Sequence, residues 1–295
     1  MTLKRVGDRP IQPQADSKTS LLDQAVFTVR GICELLWEGS DQPAKAVLSN
    51  FELLCLLEGE AVFTQRDFRS DARTGDVVLL SPFTPYTVQS VGERPLRCLS
   101  VHFLVAPSYM ERVFDAMFHS RSGLAVKPTD SEAIQSLIRL ALARWKTGAK
   151  DAAALARAVL YAVLPQMADE AFDPTAEPYP YTRSQADLIE RAVEAVNEGL
   201  AGPIRIQNLV RQLGVSESRL NKTFNDVLGI PPSRYFMNMK MRRVEEMVAL
   251  TDMTMEEISA GMGFSSAFHL SRAYKDTFGV SPSLFRKQYR MGYLK

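Results

Sequence analysis

Apolar positions fall into two regimes along the chain, and the change comes near Pro107. From about Leu21 to Ala106 they cluster in short runs such as "ELLCLLEGEAVFTQ", "DVVLLSPFTPYTVQ" and "LRCLSVHFLV". Glu58-Gly59, Gly75-Asp76, Pro82, Pro85 and Gly92 stand between or within those runs. Apolar and β-branched runs with turn residues at regular intervals predict a small β-barrel or sandwich. After Pro107 the period lengthens. Ile134, Leu137, Ile138, Ala141, Leu142 and Trp145 recur at three and four, as do Leu155, Val159, Ala162 and Val163. That is the stripe of a helix, and Gly148 divides the two stretches into a helical hairpin. The prolines of "FDPTAEPYPYTRS" predict an extended hinge, and beyond it every segment reads as helix. Several of these helices open after Ser or Thr and two units end at Gly, the chemistry of helix caps.

The pattern predicts an α+β chain of two domains: a loose polar arm over 1–20, a β-barrel over 21–106 and a helical region over 107–172. A hinge over 173–182 then leads to an all-α domain over 183–295. A chain of 295 residues is long enough for two cores.

The all-α domain repeats itself. "GVSESRLNKTFNDVLGIPPSRY", from Gly214, aligns with "GFSSAFHLSRAYKDTFGVSPSLFR", from Gly263. Gly214 falls on Gly263, Ser216 on Ser265, Leu220 on Leu270, Lys222 on Arg272, Phe224 on Tyr274, Gly229 on Gly279 and Pro232 on Pro282. One extra residue, placed near His269, breaks the register. Each copy reads as a short helix, a turn whose glycine supplies positive φ, and a second helix: a helix-turn-helix. The outward residues of the second helices are Ser218, Arg219, Asn221, Lys222 and Asn225 in one copy. In the other they are Ala267, Phe268, His269, Ser271, Arg272 and Lys275. Asn, Lys and Arg match base edges in a major groove, no carboxylate intrudes, and Asn225 and Lys275 suit phosphates. A connecting helix from Ser233 to Leu250 spans roughly 27 Å, which places two such helices about one turn of DNA apart.

Residues 183–295 resemble the DNA-binding domain of the AraC/XylS family of transcription regulators, whose signature stands here as "ISAGMGFSSAFHLSRAYKDTFGVSPSLFR". The resemblance implies seven helices, double-stranded DNA as partner, and a regulator that usually activates by recruiting RNA polymerase. By position it puts base contacts on Ser218, Asn221, Lys222, Ala267, Phe268, His269 and Arg272. Ala267 and Phe268 cannot hydrogen-bond to a base, so they suit a thymine methyl or a copy that mainly holds phosphate.

The segment "LLEGEAVFTQRDFRSDARTGDVVLLSPFTPYTVQS" resembles the cupin-type sensory domain that often precedes this DNA-binding domain. Metal-binding cupins carry two or three histidines and a carboxylate on adjacent strands. The whole chain holds only His102, His119 and His269, and Tyr86 stands where a histidine often lies. No metal and no cofactor is therefore expected, and His102 reads as a hydrogen-bonded core residue. Arg66, Arg69 and Arg73, with Asp71 and Tyr86, are the candidate effector site. Arginines bind carboxylate or phosphate bidentately, although a solvated hairpin would carry the same charges. Arg69-Ser-Asp-Ala-Arg73 is also similar to the Arg-three-residue-Arg motif by which PilZ domains hold cyclic di-GMP. The expected effector is a sugar, an aromatic acid or a cyclic dinucleotide. In this family a helix of the 107–172 region commonly makes a homodimer, and Leu155, Val159 and Ala162 are the candidates.

Charge sharpens the division. From Thr182 onward there are 16 Lys+Arg against 12 Asp+Glu, while the remainder is net acidic. A basic C-terminal third fits a polyanionic partner. Cys33, Cys55 and Cys98 lie in apolar surroundings without metal-ligand spacing, as expected for buried thiols in a reducing compartment. No signal-peptide core and no long apolar run is present, so a cytoplasmic protein without a membrane partner is expected. The competing readings are a cupin-type enzyme and a DNA-binding protein that needs no ligand.

Overall fold

The computed structural model describes residues 25–37, 44–92, 94–108, 110–111, 114, 125–171, 182–199 and 204–290. The predicted arm and the predicted hinge, except Thr182, lie outside them. The strands are β1 (Val26–Trp37), β2 (Ala44–Ala46), β3 (Phe51–Glu58), β4 (Glu60–Gln65), β5 (Phe68–Arg73), β6 (Val77–Leu80), β7 (Tyr86–Val91), β8 (Leu96–Ala106) and β9 (Ala125–Val126). They form two antiparallel sheets with orders β1-β8-β3-β6-β9 and β2-β7-β4-β5. β9, in the stretch read as purely helical, pairs with β6 at Val77 and Val78.

β3 explains the layering. Its first six residues are all buried, because alternate side chains enter two different cores. Leu54 and Leu56 join Phe63, Ala72, Val88 and Cys98 between the sheets. Phe51, Leu53 and Cys55 face the other way, into a core completed by Phe27, Phe103 and two helices. These helices are α1 (Ser131–Lys146) and α2 (Ala152–Ala171). A strand covered on both faces reads as a continuous apolar run, and "FELLCLLE" is one. The turn after it requires glycine: Gly59 has φ +87°, and an added Cβ would sit 2.7 Å from the Pro95 carbonyl oxygen.

Helix α2 spends its apolar stripe inside the subunit. Val159 is fully buried and Leu155 packs against the same core, while Ala162 is exposed. The predicted dimer trio is thereby divided, and Val159 is removed from it. The interior period of a helix fits β1 as well as it would fit a second chain, so periodicity alone does not tell the two apart.

The C-terminal half is helical: α3 (Arg183–Glu198), α4 (Ile206–Leu213), α5 (Glu217–Leu228), α6 (Pro232–Leu250), α7 (Met255–Gly261), α8 (Ala267–Phe278) and α9 (Pro282–Arg290). Two cores divide it. Ile189, Val193, Leu213, Leu220, Phe224 and Phe236 form one, and Met241, Val244, Val248, Ile258, Leu270 and Tyr274 the other. Helix α6 contributes to both.

The repeat proves to be three helices long, α3–α4–α5 and α6–α7–α8. Arg191 on α3 donates to the Leu213 carbonyl oxygen at 3.1 Å. Lys240 on α6 donates to the Met262 carbonyl oxygen at 2.7 Å. Both bonds span 22 residues, and both satisfy a carbonyl at the end of the first helix of a helix-turn-helix. Burial pushes the Lys240 ammonium pKa down.

The two halves touch along α6. Ser49 donates to the Glu245 carboxylate, and Arg242 Nε donates to the Ser49 carbonyl oxygen at 2.7 Å. Arg242 also pairs with Glu111 at 3.4 Å and lies over the Phe83 ring. Arg30 of β1 pairs with Glu246. Val47 and Phe83 add apolar contact to the core around Val244.

Candidate nucleic-acid interface

Each second helix of the repeat is set by its caps. Ser216 accepts from the Arg219 N–H at 3.2 Å and Ser266 from the His269 N–H at 3.1 Å. Gly229 and Gly279 end α5 and α8 in the left-handed region, at φ +71° and +78°. Leu220, Phe224 and Val227, and Leu270, Tyr274 and Phe278, turn inward. The residues expected on DNA are left outside. Ser218, Arg219, Lys222 and Asn225 are exposed on α5, with Asn221 half-buried beside them. On α8, Phe268, His269, Arg272 and Lys275 are exposed, and Ala267 and Ser271 half-buried. The strand-rich half covers neither set.

The caps correct the register. Ser216 is equivalent to Ser266, not to Ser265. In both turns an N–H reaches back five residues, Val215 to the Val210 carbonyl at 3.1 Å and Phe264 to the Ser259 carbonyl at 2.9 Å. Val215 therefore matches Phe264, and the extra residue is Ser265, in the turn rather than near His269. With that shift Ser218 pairs with Phe268, Arg219 with His269, Lys222 with Arg272 and Asn225 with Lys275. Arg219 differs from expectation in one respect: it donates to Ser184 of α3 at 3.3 Å.

The predicted effector residues do not converge. Alternation along β5 turns Arg69, Asp71 and Arg73 to the open face of their sheet while Ser70 and Ala72 go inward. Tyr86 points between the sheets, where burial and then the nearby Glu52 raise its pKa well above the ordinary value. Arg66 alone reaches a cavity, one of about 260 Å³ between the two halves. Its backbone is left-handed, φ +54°, in the tight Arg66-Asp67 turn. Phe51, Phe83 and Thr84 line that cavity from the same side, and Arg234, Asn238 and Arg242 from α6. Those three are spaced by four along one face of α6, a spacing present in the sequence.

The core carries a polar group as well. Ser100 donates to the buried Glu52 at 2.5 Å, and His102 contacts Asn50 at 3.0 Å and Glu52 at 3.4 Å. His102 is thus hydrogen-bonded, as expected, but half-buried rather than in the core. Among the described residues no group of three or more His, Cys, Asp or Glu could hold a metal ion. Cys33, Cys55 and Cys98 are buried free thiols. Burial pushes Cys33 and Cys55 up to about 12, and Cys98 upward too, which makes them poor nucleophiles. Arg97, next to Cys98 in sequence, faces the opposite side of β8 and pairs with Glu34 and Glu58. Among the described residues no helix is long and apolar enough to cross a membrane.

Comparison with known proteins matches both halves. The model of the family described as "AraC-like ligand binding domain" matches residues 41–164, and that of "Helix-turn-helix domain" matches residues 209–288. The HTH-type transcriptional regulator ArgR of Pseudomonas aeruginosa is 30% identical over 104 residues, 35% of this chain and 32% of that protein. GbdR of the same species is 28% identical over 104 residues, 35% of this chain and 28% of that protein. The chain thus spans about a third of the length of the curated relatives it matches. Among solved structures, ToxT from Vibrio cholerae, bound to (E)-4-(8-methylnaphthalen-1-yl)but-3-enoic acid, shares the two-domain fold. Its TM-score is 0.60 at 10% identity, over 88% of this chain and 100% of that one.

Proposed function

The chain belongs to the AraC/XylS family of transcription regulators, and from that premise we propose that it binds double-stranded DNA through α5 and α8 under control of a small ligand. The observation that carries this reading is the duplicated, capped helix-turn-helix with Lys222 and Arg272 exposed at equivalent positions, Arg272 lying 3.9 Å from Asp276 of its own helix. Lys222 and Arg272, equivalent in the two copies, hold successive major grooves. As in the family, the protein acts as a homodimeric activator that recruits RNA polymerase. Footprinting the full chain on its own upstream DNA tests this. Lys222→Ala and Arg272→Ala each weaken the protected site by about 1–3 kcal/mol. Footprints that match the parent's in both variants sink the assignment.

The effector in this reading is an anion with an apolar body. Its support is the cavity between the halves, where Arg66, Arg234 and Arg242, the last already paired with Glu111 of the same lining, stand around aromatic and aliphatic side chains. An anion there would bridge the β4–β5 turn to α6, and guanidinium forks suit carboxylate or phosphate. The outward row of Arg69 and Arg73 on β5 favours a second reading, a cyclic dinucleotide on the open sheet face. Calorimetry with cyclic di-GMP separates them. Heat that Arg66→Ala abolishes supports the cavity, and heat that Arg69→Ala abolishes supports the sheet face. No heat with the parent removes the cyclic dinucleotide.

A further inference from the structure

The second copy of the repeat departs from the first at its reading positions. Phe268, where the first copy has Ser218, is 78% exposed, the highest value of any large apolar residue described. A phenyl ring held in water on a well-capped helix contributes nothing to the core beneath, which Leu270 and Tyr274 already fill. His269 follows it. Ser265, the residue that the second turn has in excess, lies with its Oγ 3.0 Å from His269 Nδ1. Phe264 packs edge-on to the same imidazole, ring centres 5.6 Å apart and planes at 86°. Lys240 in turn lies over the Phe264 ring at 5.3 Å. The first copy has no residue in the place of Ser265, and its Arg219 turns to Ser184 instead. An exposed imidazole held from two sides on a DNA-facing helix is positioned for something outside the chain.

We infer that the second copy reads its half-site through this pair, Phe268 packing on the 5-methyl group of a thymine and His269 donating to a guanine. In this reading the Ser265 hydroxyl donates to Nδ1, so that the proton stands on Nε2, and Nε2–H donates to the N7/O6 acceptor edge of guanine in the major groove. Ser265 is a positioning residue: it touches no base but fixes which nitrogen carries the proton and where the ring points. The inference rests on the DNA-binding reading and adds to it the base chemistry of one half-site. Lys222 and Arg272 supply charge. Phe268 and His269 supply discrimination.

The test uses operator DNA altered by single atoms or methyl groups, on the site footprinted with the full chain. Each thymine in the half-site under α8 is replaced in turn by deoxyuridine, which removes only the methyl group. One such position lowers the parent's affinity about fourfold, the value of one buried methyl group. Phe268→Ala binds the two operators equally. Each guanine is likewise replaced by 7-deazaguanine. One position costs the parent roughly two- to tenfold, the range of one hydrogen bond, and costs Ser265→Ala less. Both substituted side chains are exposed, so unchanged melting of the variants separates reading from folding. A parent that footprints normally but binds every deoxyuridine and deazaguanine operator like the natural one overturns the inference and leaves the regulator reading intact. A parent with no footprint at all overturns that reading instead.

Discussion

Lys240 and Arg191 do the same job 49 positions apart, and each closes a carbonyl that the end of a helix leaves open. Such a carbonyl, buried without a donor, costs about 1–3 kcal/mol. Lys240→Met keeps the length and apolar stem of the side chain but removes the donor. It should lower the stability of the second copy by that amount in urea unfolding followed at the C-terminal half, with Lys240→Arg losing less. The residue is 4% exposed although it is a lysine, and the apolar pattern of α6 alone gives no reason for that. Its counterpart in the first copy gives the reason. A basic residue 22 positions before the Leu-Gly or Met-Gly of the turn is visible in the sequence, but only once the repeat is known to include three helices. Ser265 is the opposite case. The sequence shows that one residue is extra, yet Ser265 and Ser266 are identical neighbours, and only the cap bond to the His269 N–H decides which belongs to the helix.

Elements were legible where one period governed one environment. The strands of the first half, the paired helices α1 and α2 and the two helix-turn-helix units all announce themselves by spacing of apolar residues, and turn glycines such as Gly59 and Gly214 by need for positive φ. Two-residue β9 carries too little pattern to be seen. The direction in which an apolar stripe faces was not legible. Helix α2 shows a stripe wide enough for a dimer seam, and the sheet uses it first, so Val159 belongs to the subunit core. On β5, Arg69, Asp71 and Arg73 looked like a cluster because they are close in sequence. The pleat turns all three to one face and sends Arg66, beyond the strand, to a different place.

At the scale of the whole molecule the decisive contacts join residues about 130–215 positions apart, and no local pattern encodes them. Glu245 lies at the middle of this junction. Burial raises its carboxyl from the ordinary 4.5 to about 7, against the lowering effects of the Ser49 hydroxyl, Arg242 and Arg30, while Glu246 adds to the rise. The docked state therefore holds a proton that a separated domain would release. Its contribution to docking is complete below about pH 4.5, falls as pH rises through about 7, and is absent above that. Melting of the full chain between pH 5 and 8 should show the junction loosening as pH rises. Glu245→Gln, which cannot ionise, should flatten that dependence; an equal slope in parent and variant excludes Glu245 as the titrating group.

Helix α6 is at once the plank on which the strand-rich half rests and the opening helix of the second three-helix repeat, so its two packing duties cannot be adjusted separately. A force applied to its outer side would reach α5 and α8 together, since α6 packs against both. Under the function proposed above, what DNA would register from the strand-rich half is a question of phase between two grips on the same duplex, rather than the gain or loss of either hand.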